Sequence, residues 1–280
     1  MHQKIAFIGP GVMAEAMIAG IIRCGVATSE QIIVSGPRIN RGQDLADRYG
    51  ITSLTDNPSA VENADVIVLC VKPQQLKGIL PELSGRLKSS AFVLSIIAGA
   101  TIEKLSQGLQ CDNVVRSMPN TPAQIGEGIT VWTAAAVVSD AQRQIARQML
   151  GALGEEIYLG EEYYLDMATA LSGTGPAYVF MFMEAMVDAG VHLGFPRRIA
   201  EQLVAQTVRG SVDYYRKSED PVHLARLRNQ VTSPGGTSAA ALYYLEKAGF
   251  RTAISRAVWA AYERSQALGK GSQSQSPDEA

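Results

Sequence analysis

The sequence predicts an α/β protein in which a doubly wound sheet is followed by an all-helical domain. Short β-branched runs alternate with helical patterns through the first half, at the spacing of parallel βαβ units. After residue 161 that alternation stops and long helical patterns follow, and residues 270–280 are polar and low in complexity. We therefore expect a sheet domain at 1–160, a helical domain at 161–269 and a disordered tail at 270–280.

The individual elements follow from residue type and periodicity. Strands are predicted at 4–8, 31–35, 65–71, 91–96, 113–118, 128–132 and 155–159. Helices of the first half are predicted at 12–24, 40–49, 73–87, 102–108 and 139–153. Helices of the second half are predicted at 162–171, 176–193, 197–217, 224–230, 238–248 and 251–268. Because parallel strands need helical crossovers, the first half should form an open twisted sheet with helices on both faces.

A glycine-rich turn follows the first strand and opens the first helix. It reads Gly-Pro-Gly-Val-Met-Ala from residue 9 to residue 14. In dinucleotide-binding turns the first glycine permits the tight turn, the second lets a pyrophosphate approach the backbone, and a small third residue lets helix and strand pack closely. The strand–turn–helix context predicts a Rossmann-type domain, with Gly9, Gly11, Val12 and Met13 in the cofactor site.

The end of the second strand discriminates between cofactors. Sites specific for NAD usually place an Asp or Glu there, to accept hydrogen bonds from the ribose 2′-hydroxyl. This chain instead has Ser35, Arg38 and Arg41, and no carboxylate. A hydroxyl and two guanidinium groups suit a 2′-phosphate, so NADPH is the predicted cofactor and NADH is the alternative. The competing interpretation is that both arginines are solvated at a helix start.

Two further loops follow predicted strands at the sheet edge where ligands bind in open α/β folds. One reads Val-Lys-Pro at 71–73, and the other reads Met-Pro-Asn-Thr-Pro at 118–122. Two prolines fix the backbone of the second loop, so Asn120 and Thr121 are candidates to contact the nicotinamide or the substrate. A rigid turn without a binding role is the alternative for this loop.

The helix predicted around residues 178–193 is apolar nearly all round, with Phe and Met on different faces. A helix of this kind must be covered on several sides, and a bundle of about a hundred residues has limited means to do so alone. We therefore expect a large subunit interface in the helical half. Packing of the same side chains inside a monomeric bundle remains the competing interpretation.

A second glycine-rich turn, Thr-Ser-Pro-Gly-Gly-Thr-Ser at 232–238, directly precedes a helical stretch. Such a turn presents unpaired backbone N–H groups and the positive end of the helix dipole, which suit an anion. Hydroxyls of Ser233, Thr237 and Ser238 surround the concavity. The segment therefore predicts a site for a small carboxylate or phosphate, although ordinary turn and capping chemistry gives the same residues.

The composition excludes several classes of function. Hydrophobic residues make up 46% and charged residues 19% of the chain, so it has ample material for a core. The net charge of −2 gives no support for binding of nucleic acid. The three cysteines and three histidines are too scattered for a metal site, and a reducing, cytoplasmic compartment is expected. The most apolar segment, 175–195, carries three charged or titratable side chains and is not expected to span a membrane.

Three segments together resemble the pyrroline-5-carboxylate reductase family. They are Met-Pro-Asn-Thr-Pro at 118–122, Leu-Ser-Gly-Thr-Gly-Pro-Ala-Tyr at 171–178 and Val-Thr-Ser-Pro-Gly-Gly-Thr-Ser at 231–238. With the N-terminal fingerprint, the resemblance covers essentially residues 3–268. It implies an oxidoreductase that reduces 1-pyrroline-5-carboxylate to L-proline with NAD(P)H, the last step of proline biosynthesis. It also implies a Rossmann domain with a helical dimerisation domain of the 6-phosphogluconate-dehydrogenase type, assembled as a dimer or as a ring of dimers such as a decamer.

The resemblance also assigns roles to matching positions. The substrate carboxylate would be held chiefly by backbone N–H groups of Ser233, Gly235, Gly236 and Thr237, in a site between subunits. Ser238 occupies a position where the family more often has Thr, and its hydroxyl would bond the ring nitrogen, so Ser238 and Thr237 are the candidate catalytic residues. The implied cofactor-binding residues are Gly9, Gly11, Val12, Met13, Ser35, Arg38, Asn57, Val71, Lys72, Pro73, Ala98 and Asn120.

Other functions of this architecture are less consistent with the sequence. A β-hydroxyacid dehydrogenase would carry a catalytic Lys and an Asn on the long helix, where this chain has Val179 and Met183. Reduction of an imine needs no such acid, because the protonated imine already carries the charge that hydride transfer neutralises. A reductase of a related cyclic imine and a non-catalytic NADPH-binding sensor remain as alternatives.

Overall fold

The structure, a computed structural model, describes residues 3–217 and 222–270. Within these described residues, eight strands form one sheet: β1 (Ile5–Ile8), β2 (Ile32–Ser35), β3 (Thr52–Leu54), β4 (Val66–Leu69), β5 (Phe92–Ser95), β6 (Val114–Met118), β7 (Gly128–Ala134) and β8 (Gly154–Tyr158). Their order is β3-β2-β1-β4-β5-β6-β7-β8. The chain therefore reverses its direction of travel across the sheet between β3 and β4, beside β1, which creates a crevice at the carboxyl ends of these strands.

Strands β1 to β6 pair in parallel, as predicted, with Ile5 opposite both Ile32 and Val66. The β6–β7 pair is antiparallel, with Ser117 opposite Trp132, and β8 is again parallel to β7. The reason is the connection. Residues 119–127, which include a 3₁₀ turn at Thr121–Ile125 and Gly126 at φ +77°, join β6 to β7. This connection is too short for the crossover that a parallel pair requires.

Six helices accompany the strands: α1 (Val12–Arg23), α2 (Ile39–Tyr49), α3 (Asn57–Val61), α4 (Leu76–Leu83), α5 (Ile102–Leu109) and α6 (Asp140–Gly151). The helix predicted at 73–87 is shorter than expected, since residues 73–75 form a 3₁₀ turn and Gly85, at φ +70°, follows its end. Two short elements, β3 and α3, were not predicted.

The two faces of the sheet bury separate apolar cores. Side chains of α1 and α6 pack with Phe7, Val68 and Leu94 on one face. On the other face, α4 and α5 pack with Ile8, Ile67 and Val93. Neighbouring residues of a strand thus point into opposite cores, which is why β1 and β4 are apolar at every position.

The described residues form two compact units, one of residues 3–175 with 260–270 and the other of residues 176–259. The predicted boundary at residue 160 differs from this division. Helix α7 (Tyr164–Ala168) packs Leu165 and Ala168 against Met118 and Val131 of the sheet. A single turn of π-helix at Thr169–Gly173 follows. The segment 161–175 is therefore held to the sheet by its own apolar contacts.

The second unit is helical, as predicted. It contains α8 (Gly175–His192), α9 (Arg197–Arg216), α10 (Leu224–Gln230), α11 (Thr237–Lys247) and the first part of α12 (Phe250–Lys270). Among its described residues the buried apolar side chains are those of Val187, Ala200 and Val204. No helix in the described ranges is long and apolar enough to cross a bilayer. The tail predicted to be disordered lies outside the described residues, except for Lys270, which ends α12.

Candidate functional site

A cleft of about 610 Å³ opens at the carboxyl ends of β1, β2 and β4, in the sheet unit. This is the crevice where open α/β sheets bind ligands. Its lining combines the glycine-rich turn, the end of β2, the start of α3 and one side of α4. The lining residues are Ile8, Gly9, Pro10, Gly11, Gly36, Pro37, Arg38, Thr55, Asn57, Cys70, Val71, Lys72, Gln75, Ile79 and Glu82.

The two glycines of the first turn have different roles in this geometry. Gly9 has φ +100°, and a Cβ atom there would lie 2.9 Å from Val71 Cγ1 and 3.0 Å from the Cys70 carbonyl. Only glycine meets both the backbone conformation and the packing at this position. A Cβ atom on Gly11 would meet only the Cys70 carbonyl oxygen, at 3.8 Å. Gly11 therefore leaves open space in the cleft where the backbone of the turn can approach a ligand.

The N-terminus of α1 lies at the same turn and presents backbone N–H donors there. Gly11 is the N-cap, and no side chain caps the helix. The N–H of Gly11 bonds the Gly9 carbonyl and the N–H of Glu15 bonds the Gly11 carbonyl, whereas Val12 and Met13 donate to no backbone acceptor among the described residues. Their N–H groups and the helix dipole suit a diphosphate. This places the predicted Gly9, Gly11, Val12 and Met13 together.

A buried hydrogen-bond chain lies at the β2 end of the cleft. Ser35 is 1% exposed, and its hydroxyl donates to Asn57 Oδ1 over 2.8 Å. Asn57 Nδ2 donates in turn to Glu82 Oε2 over 3.1 Å. The structure therefore brings the predicted Ser35 and Asn57 together and adds Glu82. Glu82 is not predicted from the sequence, because nothing in its local pattern shows that α4 faces the cleft.

The two arginines predicted at the 2′-phosphate differ in their surroundings. Arg38 lines the cleft, is exposed and makes no ion pair among the described residues. Arg41 does not line the cleft. Its Nε donates to the Pro10 carbonyl at 3.1 Å, and its guanidinium is paired with Glu15. The guanidinium of Arg38 is thus available to a ligand, whereas that of Arg41 stabilises the glycine-rich turn.

The remaining predicted cofactor residues are not all at the cleft. Val71 and Lys72 line it, and Pro73 begins the 3₁₀ turn that follows. Ala98 instead packs at the edge of the α7 cluster. Asn120 is 9% exposed and accepts a hydrogen bond from the N–H of Ile129 at 3.0 Å, which fixes the β6–β7 turn. The side chain of Asn120 therefore has a structural role in this turn.

The second glycine-rich turn opens α11 in the helical unit. Gly235 has φ +72°, and Gly236, at φ −80°, is the N-cap. The Gly236 N–H bonds the Ser233 carbonyl at 3.1 Å, and the first intrahelical bond runs from Ala240 to the Gly236 carbonyl at 3.2 Å. The N–H groups of Thr237 and Ser238 therefore donate to no backbone acceptor among the described residues.

The side chains of this turn are accessible. Ser233 and Thr237 are exposed and Ser238 is half-buried. A Cβ atom on Gly236 would lie 2.6 Å from the Ser233 hydroxyl oxygen, so glycine at this position leaves room for that hydroxyl beside the helix start. The turn thus presents backbone donors, a helix dipole and hydroxyls, which together suit a carboxylate.

Arg116 and Cys70 are residues of potentially catalytic type, but their surroundings do not support such a role. Arg116 is 1% exposed and bonds Glu162 and Asp166, both at 2.9 Å; Asp166 also accepts from the Ser265 hydroxyl at 2.8 Å. This cluster ties β6, α7 and α12 together. Cys70 lines the cleft, but burial raises the pKa of its thiol, which leaves it protonated and unreactive.

No group of His, Cys, Asp and Glu side chains in residues 3–217 and 222–270 is arranged to hold a metal ion.

Two family models match the chain, one in each half. Residues 162–268 match the model described as pyrroline-5-carboxylate reductase dimerisation. Residues 4–99 match the model described as NADP oxidoreductase coenzyme F420-dependent.

Similar proteins match the chain over nearly its whole length. A Synechocystis protein named pyrroline-5-carboxylate reductase is 40% identical over 270 residues, which cover 96% of this chain and 100% of the relative. A protein of the same name from Escherichia coli is 36% identical over 96% of this chain and 100% of the relative. The solved structure of Plasmodium falciparum pyrroline carboxylate reductase with NADP bound is 33% identical, with a TM-score of 0.86 over 96% of this chain and 98% of that one.

Proposed function

The chain belongs to the pyrroline-5-carboxylate reductase family, and we propose that it reduces 1-pyrroline-5-carboxylate to L-proline with NADPH as cofactor. The observation that carries this proposal is that one chain holds both a cleft whose geometry suits a dinucleotide and an uncapped helix start whose donors suit a carboxylate. Relatives that bear the name of this activity match both halves. A non-catalytic NADPH sensor would need only the first of the two.

The cleft fits a dinucleotide in its backbone as well as in its side chains. The open space at Gly11 and the donors of Val12 and Met13 suit the diphosphate. Arg38, which makes no ion pair among the described residues, suits a 2′-phosphate and favours NADPH over NADH. When bound, the reduced nicotinamide supplies the hydride.

The turn at 233–238 is the proposed site of the substrate carboxylate. Backbone N–H groups of Thr237 and Ser238 would hold the carboxylate at the start of α11, with Ser233, Gly235 and Gly236 shaping the turn. The Ser238 hydroxyl is the proposed donor to the ring nitrogen. Holding the carboxylate fixes the orientation of a small rigid ring, so positioning supplies most of the rate enhancement.

The proposed reaction explains why no strong acid–base pair is needed. The imine nitrogen is protonated before hydride transfer, and the transfer neutralises that cation instead of creating an alkoxide. A hydroxyl such as that of Ser238 or Thr237 is then sufficient to guide the proton. A ketone reductase would need an acid, and the corresponding positions of α8 are the apolar Val179 and Met183.

We further propose that the helical unit binds a second copy of the chain. Residues 162–268 match a dimerisation family, and Phe180 and Met181 of α8 are 59% and 74% exposed. Burying such side chains is the usual basis of an obligate interface. Its other partner is the small-molecule substrate. A cytoplasmic location is proposed because all three cysteines are unpaired.

The test is oxidation of NADPH, followed by its absorbance, with 1-pyrroline-5-carboxylate and with its six-membered homologue. We expect turnover of the five-membered ring and production of proline, with a higher kcat/KM for NADPH than for NADH. Binding of NADPH without oxidation would favour the sensor. Preference for the six-membered ring would assign the chain to a related cyclic imine.

A further inference from the structure

The β2 end of the cleft holds a carboxylate where the proposed cofactor is expected to carry its 2′-phosphate. We propose that Glu82 is a specificity-determining residue that weakens recognition of the 2′-phosphate by holding the Asn57 side chain away from it. Arg38 and Glu82 then act in opposition, and their balance sets the ratio of NADPH to NADH use. This inference rests on the proposed cofactor site.

The hydrogen-bond chain fixes which groups can donate. Glu82 is a carboxylate and only accepts, so the neighbouring atom of Asn57 must be Nδ2, which donates over 3.1 Å. The opposite end of the amide, Oδ1, therefore faces Ser35 and accepts from its hydroxyl over 2.8 Å. A rotated amide would place Oδ1 against the Glu82 carboxylate, two acceptors in contact. Glu82 thus sets the direction of the whole chain of bonds.

This direction has a consequence for the ligand. A 2′-phosphate is purely an acceptor and needs donors, whereas a 2′-hydroxyl both donates and accepts. Glu82 engages one N–H of Asn57, and Asn57 engages the hydroxyl hydrogen of Ser35. Ser35 is 1% exposed and does not line the cleft, so the member of this chain of bonds that can face a ligand is Asn57. With Oδ1 engaged by Ser35 and one N–H engaged by Glu82, Asn57 keeps a single N–H, so Glu82 removes one of the two donors that a phosphate could use.

Charge acts in the same direction. Glu82 and Arg38 both line the cleft, so an incoming 2′-phosphate meets one carboxylate and one guanidinium. The guanidinium attracts the phosphate, and the carboxylate repels it. The 2′-hydroxyl of NADH carries no charge and is not affected in this way. Glu82 lies near the end of α4 and is exposed, so its neutralisation should not disturb the core.

The test compares two fragments that differ only in the group in question, adenosine 2′,5′-bisphosphate and 5′-AMP, by titration calorimetry. Neither fragment contains nicotinamide, so the readout is independent of catalysis and substrate binding. In Glu82→Gln, which keeps an acceptor for Asn57 but removes the charge, we expect the bisphosphate to bind about fivefold more tightly from loss of repulsion, and 5′-AMP to change by less than about twofold. Glu82→Ala should shift the ratio in the same direction.

Glu103→Gln is the matched control. Glu103 is an exposed carboxylate that accepts from Gln107 Nε2 over 3.1 Å, the same type and length of bond, and it does not line the cleft. It should leave the ratio of the two affinities unchanged. In steady state, Glu82→Gln should lower the KM for NADPH relative to that for NADH.

The outcomes separate this inference from the proposed function. If the unmodified protein binds both fragments and neither Glu82 variant changes their ratio, Glu82 does not determine specificity and the cofactor site stands. If the unmodified protein binds neither fragment, the cofactor site itself is wrong and the inference falls with it.

Discussion

The sheet unit and the helical unit bury their apolar residues in opposite ways. In the sheet unit, whole strands such as β4 and β5 are buried at every residue, and two extensive cores fill the space under the helices. In the helical unit the described core is limited to Val187, Ala200 and Val204, while Phe180, Met181 and Trp259 are 59%, 74% and 60% exposed. The sheet unit buries its large apolar side chains within one chain, whereas the helical unit leaves several of them exposed.

The same contrast extends to charged groups. Arg116 of the sheet unit is buried and contacts two carboxylates, whereas Arg197 of the helical unit pairs with Asp188 at 2.6 Å with both side chains at least half exposed. The sheet unit therefore depends on specific internal pairs, and the helical unit carries polar contacts that water can replace.

The largest expected effect is on the buried arginine. Arg116→Ala would leave Glu162 and Asp166 without their common partner, and breaking such a pair costs about 3–5 kcal/mol of unfolding free energy. Arg197→Ala removes an exposed pair and should cost less than about 1 kcal/mol. Urea unfolding followed by circular dichroism measures both. Equal losses in the two variants would contradict the contrast between the units.

The next effect is on association. Met181→Asp places a charge in the exposed apolar face of α8, where a partner is proposed to pack. Burial of an unpaired charge should weaken the dimer by about 100-fold or more. Val137→Asp is the control, since Val137 is also apolar and 62% exposed but lies in the sheet unit. Sedimentation should show monomers for the first variant and dimers for the second, and dimers for both would refute the proposed interface.

The smallest effect concerns acid stability in the sheet unit. Burial alone would raise the pKa of Glu15, but hydrogen bonds from Arg41 and Tyr49 and the charges of Arg41 and Arg48 lower it overall. A lowered folded-state pKa contributes stability that is present above the ordinary value near 4.5 and is lost as pH falls through the folded value. Glu15→Gln should therefore cost about 1 kcal/mol at pH 7 and progressively less as the pH falls below about 4.5. A pH-independent loss would show that packing, not charge, stabilises this contact.

The sheet could be predicted from the sequence because its strands are short, apolar and separated by helical periodicity. The elements that were missed have weak signals. β3 has three residues and only its Leu54 is apolar, and α3 has five residues with Pro58 in its first turn. The antiparallel direction of β7 follows from the short connection between β6 and β7. The π-helical turn before α8 adds a single residue to the helical repeat, and hydrophobic periodicity does not reveal it.

The candidate site was predicted where backbone geometry demands particular residues. Gly9 is required by φ +100° and close packing, and Gly236 marks a helix start, so both are visible as glycines in the sequence. Glu82 was not predicted, because its place beside Asn57 depends on how α4 packs on the sheet. The same holds for Arg116, although an Arg within a run of buried strand residues is itself a sign of an internal partner.

The most direct test of the proposed division between a cofactor-binding sheet unit and a substrate-binding turn is Gly236→Ala. Gly236 has φ −80°, which alanine adopts. The added Cβ atom, however, would lie 2.6 Å from the Ser233 hydroxyl oxygen and would displace that hydroxyl. Gly210→Ala, where the nearest atom is 4.0 Å away, is the control in the same unit. We expect Gly236→Ala to raise the KM for 1-pyrroline-5-carboxylate about tenfold while the Kd for NADPH changes by less than about twofold. Equal increases in the KM and the Kd would contradict the assignment of the turn to the substrate.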